Sequence, residues 1–217
     1  MSKKLFALAA VFMVIVWASA AQAYIAYNVP TGAVGNQYYA GSLGMDFDVN
    51  RPIEVTALGV FESGGSVTAG PLYVAIYNVT TELPVTSILS FTGSQGNLIG
   101  ESRFKNLSTP VTLGVGDYSI VAWGYGAYVA GTYFDPNGNN GNNPNPTPPA
   151  MDNGNGLITF VGSSRYGAAD AFPTTPDGGP YNRYYAGTFE FVPIPPSVLL
   201  LGSGLLGLVG FRRFKKS

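Results

Sequence analysis

An all-β fold, a single antiparallel β-sandwich, is what this sequence predicts, on three observations. Its 217 residues include 29 glycines and 16 prolines but only 11% charged residues, a composition that suits many turns and few long helices. Tyr, Phe, Val, Thr and Ile recur through the middle of the chain, where the strong helix formers are sparse. About eight segments of strand length alternate or run apolar there, each closed by Gly, Pro or Asn.

Before the first of these segments, residues 1–23 read as a secretory signal helix. Lys3 and Lys4 make a basic start, residues 5–17 an apolar run, and Ala21-Gln22-Ala23 a small-x-small cleavage site. Cleavage there leaves Tyr24 as the new N-terminus and residues 24–192 as the domain. Met45-Asp46-Phe47-Asp48-Val49 is the first clear strand, with Met45, Phe47 and Val49 on a core face and Asp46 and Asp48 on a wet one. Arg51-Pro52 breaks it, and strands are predicted at 54–61, 72–79, 85–91, 109–115, 118–123, 157–161 and 184–192.

Residues 135–156 stand apart, rich in Asn, Gly and Pro and almost empty of apolar side chains, so they read as a long surface loop or a disordered insertion, mobile and dispensable. Asp135-Pro136-Asn137-Gly138-Asn139 has the look of a calcium loop. However, Asn140 stands where an EF-hand needs Gly and Pro146 where it needs Glu.

The tail, residues 193–217, has three parts: Pro193-Ile194-Pro195-Pro196, an apolar stretch from 198 to 211, and a basic end containing Arg212, Arg213, Lys215 and Lys216. The prolines end the domain. As a helix the apolar stretch is about 21 Å long, short of the ~30 Å hydrocarbon core, so it makes a thin membrane span. The cations after it stay on the cytoplasmic side, which puts the body across the membrane. A plain C-terminal transmembrane anchor is the simpler alternative.

These residues carry a resemblance. Val192-Pro193-Ile194-Pro195-Pro196-Ser197, then Gly202-Ser203-Gly204-Leu205-Leu206-Gly207-Leu208 and the basic end, resemble the PEP-CTERM sorting signal, with Ile194 standing where that family most often has Glu. The resemblance implies that Pro193, Pro195, Pro196, Gly202, Gly204, Arg212 and Arg213 form the signal. It implies delivery by the secretion machinery, recognition in the inner membrane by an exosortase, and cleavage near the prolines. Release or attachment at the surface of a Gram-negative cell then follows, often one that builds an exopolysaccharide matrix or biofilm. Within the body, Val55-Thr56-Ala57-Leu58-Gly59-Val60-Phe61, Val74-Ala75-Ile76-Tyr77, Pro110-Val111-Thr112-Leu113 and Gly116-Asp117-Tyr118 are similar to the jelly-roll-like sandwiches that recur in such proteins.

Composition also bounds function. There is no cysteine and no histidine, which removes disulfides, thiolate nucleophiles, the serine-triad base and the usual metal ligands. Between the two ends only Arg51, Arg103, Lys105, Arg165 and Arg183 oppose all twelve acids, so the body repels nucleic acid. No cofactor is called for. Trp123, Tyr125, Tyr128 and Tyr133 are candidate carbohydrate-stacking rings, with Tyr181, Tyr184 and Tyr185 a second aromatic group, although such rings also finish β cores. The expected function is a non-catalytic surface or matrix protein. An exopolysaccharide-binding module is the alternative, and a hydrolase, which needs two facing carboxylates, ranks third.

Overall fold

A computed structural model describes residues 22–64, 67–126, 135–139 and 148–194. Among these the strands are, in chain order, β1 (Tyr24–Ile25), β2 (Tyr27–Asn28), β3 (Ser42–Val49), β4 (Ile53–Phe61), β5 (Val67–Asn78), β6 (Leu89–Gly93), β7 (Asn97–Ile99), β8 (Ser102–Leu113), β9 (Gly116–Trp123), β10 (Gly138–Asn139), β11 (Ala150–Met151), β12 (Ile158–Gly167), β13 (Thr175–Asp177), β14 (Tyr184–Tyr185) and β15 (Gly187–Pro193). The fold is all-β, as composition and periodicity predict. One sheet has the order β1-β15-β4-β8-β7, a second the order β13-β12-β3-β9-β5-β6, and the short pairs β2-β11 and β10-β14 stand beside them. Every pairing is antiparallel. The signal helix and the hydrophobic tail helix lie outside the described residues.

The two large sheets share one core. Period-two alternation turns Met45, Phe47 and Val49 of β3 and Phe189 and Phe191 of β15 inward, and all five are buried. Phe47 of the second sheet meets Phe189 of the first with ring centroids 4.7 Å apart. At Gly187 the sheets approach closely: a Cβ there would lie 2.9 Å from Ile120 Cγ1. Only the missing side chain permits that approach.

The second sheet is also covered on part of its outer face, which alters one expectation. Ala75, Tyr77, Val121 and Trp123 form a second apolar cluster there with Phe172, from the segment after β12. Asp46 therefore does not sit on a wet face. It is 7% exposed, its two carboxylate oxygens accept from Arg165 Nε at 2.9 and 2.8 Å, and the Arg165 guanidinium lies over the Phe172 ring. Burial pushes the Asp46 carboxyl above the ordinary carboxylate range, with Arg165 pulling the other way.

Candidate functional site

Two rings of the first aromatic group, Trp123 and Tyr125, are buried in the described structure. Trp123 is buried and stacks on Tyr73, its cross-strand neighbour, with centroids 5.5 Å apart. Tyr125 is 1% exposed, and its hydroxyl lies 2.9 and 2.8 Å from the carbonyls of Phe61 and Ala186, pinning the end of β4 to the turn before β15. Both rings are core side chains and present no face to a ligand. Tyr128 and Tyr133 lie outside the described residues.

Of the processing residues, Ala23 immediately precedes β1, and Pro193 is the last residue of β15, paired with Ile53. The boundary expected before Pro193 therefore moves, since that proline still belongs to the sheet. A proline is tolerated at a strand end, where it interrupts no further ladder. Ala21, Pro195, Pro196, Gly202, Gly204, Arg212 and Arg213 lie outside the described residues.

The segment 135–156 is less loop-like than its composition implies, because both of its described ends are built in. Asn137 donates its backbone N–H to Gln37 O and accepts from the N–H groups of Asn36 and Gln37. Asn36 and Asn139 exchange side-chain and backbone hydrogen bonds at 3.0 and 2.8 Å. β10 pairs with β14, and β11 with β2. Asn and Gly at these positions serve a buried amide network, so deleting the whole segment would remove strand partners.

The second aromatic group does come together with polar side chains, along β12. Residues 181–183 run beside that strand: Asn182 N–H donates to Gly162 O at 2.9 Å and Arg183 N–H to Ser164 Oγ at 2.8 Å. Tyr181 is 80% exposed and its ring rests on Gly162, where a Cβ would lie 2.5 Å away. Asp177, across from Ser164 on β13, accepts from Arg183 Nη1 at 3.0 and 2.8 Å. Arg183 Nε donates to Asn139 Oδ1 at 3.0 Å, and its guanidinium lies over Tyr184. Burial alone would raise the Asp177 carboxyl, but hydrogen bonds from Arg183 and Tyr184 hold it below its usual range. Two residues beyond Ser164, exposed Tyr166 meets Tyr39 edge to face, and Tyr39 donates its hydroxyl to Gly167 O at 3.2 Å. Tyr39, Tyr166, Asp177 and Arg183 carried no motif in the sequence, because register alone brings them together.

A carboxylate pair also exists, on the outer face of the second sheet. Asp48 and Asp117 are cross-strand partners of β3 and β9. Burial and then the charges of Asp117 and Asp46 push the Asp48 carboxyl up. A raised folded-state pKa weakens folding as pH rises through it, so Asp48→Asn should stabilise the domain at neutral pH by about 0.3–0.5 kcal/mol. Urea titrations should show that gain vanish below the ordinary carboxylate range, and a gain of equal size in acid would contradict the repulsion. A cleft of about 400 Å³ beside β1, β2 and β11 is lined by Tyr24, Ile25, Asn28, Met151 and Asp152 among others, and neither Asp48 nor Asp117 reaches it. Among the described residues no group of three His, Cys, Asp or Glu side chains could hold a metal ion. No protein-family model matches the chain, and no curated protein matches it either.

Proposed function

We propose that this chain is an exported β-sandwich of the jelly-roll type, displayed at or beyond the surface of a Gram-negative cell as a non-catalytic structural protein. Strand order supports the architecture. Counting β1, β3, β4, β5, β6, β8, β9 and β15 as first to eighth, one sheet reads first, eighth, third, sixth and the other second, seventh, fourth, fifth. Two interlocked Greek keys wind strands in that interleaved order. β12 and β13 extend the second sheet past β3.

The observation that carries the display reading is where the two ends of the domain lie. β1 begins at Tyr24, the residue that follows the predicted cleavage site, and pairs antiparallel with β15 in the register Tyr24↔Phe191. Chain entering at Ala23 and chain leaving at Pro193 therefore stand side by side at one end of the first sheet. A signal ahead of β1 and an exosortase-read tail after β15 would then join the domain at neighbouring points of the first sheet. The likeness of the tail to PEP-CTERM signals supports the same route through secretion machinery and inner membrane.

The mass of protein recovered from exosortase-bearing cells and their medium tests this. The mature chain should begin at Tyr24 and lack the basic end; a product that keeps Met1 overturns the reading. Truncation after Ile194 should leave the thermal midpoint unchanged while altering surface delivery. Cutting after Val192 instead trims β15 and should lower the midpoint. A second reading, an exopolysaccharide-binding module, is favoured by the exposed rings of Tyr166 and Tyr181 flanking the Arg183–Asp177 pair.

A further inference from the structure

Resting on that second reading, we propose that the strip along β12 from Tyr181 to Tyr166 is the saccharide site, and that its ligand is a neutral polysaccharide. Tyr181 rests on Gly162, in the irregular stretch of β12 between Phe160 and Ser164, and Tyr166 lies on the regular stretch beyond it. Two rings along one strand suit stacking on sugars of one chain. Both rings are exposed, while the residues between them are polar and fixed.

The middle of the strip is built to meet hydroxyl groups. Arg183 is anchored through Nε on Asn139 and Nη1 on Asp177, with Gly179 packed so closely on the guanidinium that a Cβ there would lie 2.6 Å from Nη1. Its Nη2 makes no hydrogen bond among the described residues, so a donor of fixed direction remains for a ligand. Asp177 is held ionised beside it, accepting from Gly179 N–H at 3.1 Å as well as from Arg183 and Tyr184. A planar donor next to a carboxylate pairs well with vicinal hydroxyls, and tyrosine faces pair with the C–H faces of pyranose rings.

Charge selects among polysaccharides. The positive charge of Arg183 is matched by Asp177 within the strip, and the body has five cations against twelve acids. A polyanionic chain would meet no surplus cation here and would be repelled overall. A neutral chain meets neither penalty.

Affinity electrophoresis in native gels tests the proposal, with hydroxyethylcellulose, galactomannan or dextran in the gel and polygalacturonate as the acidic comparison. The protein should be retarded by at least one neutral polymer and not by polygalacturonate. Tyr181→Ala and Tyr166→Ala should each weaken that retardation by about tenfold. Thermal midpoints measured alongside should change little, since both rings are exposed. Retardation by a neutral polymer that survives both substitutions overturns this site while leaving the binding reading standing. Retardation by polygalacturonate alone overturns the ligand class, and no retardation by any polymer removes both the site and the reading beneath it.

Discussion

Replacing Arg103 by Met is expected to destabilise the domain by about 3–5 kcal/mol, the largest single effect outside the aromatic core. Glu62, at the end of β4, is fully buried, and Arg103 of β8 is its ion-pair partner through Nε. Arg103 Nη1 also donates to Ser94 O at 3.1 Å, tying the turn after β6 to the first sheet. Burial pushes the Glu62 carboxyl up and Arg103 pulls it down, while Asp135 and Glu101 add repulsion. Without Arg103 the carboxylate is left buried beside like charges. Its folded-state pKa then rises further above the unfolded value, so stability is lost as pH rises through it. Urea unfolding near neutrality and in mild acid should therefore show the deficit shrinking on acidification, and the double variant Glu62→Gln with Arg103→Met should recover most of it. A deficit that grows in acid would mean that the pair does not carry the site.

Phe189→Ala should cost about as much, roughly 3–5 kcal/mol, by a different mechanism. Phe189 is fully buried between Phe47 of the facing sheet and Phe191 of its own strand, with ring centroids at 4.7 and 5.6 Å. Truncation opens a cavity between two hydrogen-bonded sheets, whose backbones cannot slide together without breaking register. Phe189→Leu keeps much of the apolar volume and should lose clearly less. Denaturant midpoints with unchanged slopes check both, and equal losses for Leu and Ala would remove the cavity as the cause.

Legibility in the sequence followed how local each signal is. β3, β4 and β9 were readable because apolar runs or alternation fill them. The strand predicted at 157–161 ends where the apolar run meets Gly162. Instead Gly162, with φ +84°, absorbs an irregularity inside the strand, and pairing with β3 resumes at Ser164. The first half of β8 was missed because Ser102 to Ser108 is largely polar. Pro110 sits in that strand where the register with β4 shifts, which is where a residue without an N–H fits. Two-residue partners such as β10 and β14 have no period to read, and their pairing is a tertiary event. Trp123 and Tyr125 could be recognised as important rings, but no local pattern tells that the outer face above Trp123 is itself covered. The tyrosines near residue 181 stood out as a group, whereas Tyr39, Tyr166 and the Arg183–Asp177 pair depend on which strand lies beside which.

The outermost strands of both large sheets are short. Among the described residues β1, β7 and β13 have two or three residues and β6 has five, while the strands they flank have between seven and twelve. Each outermost strand therefore presents only a short, stepped edge to another copy of the chain. A protein crowded at high local concentration can then stay a collection of separate particles, able to mix with other components without templating its own fibres.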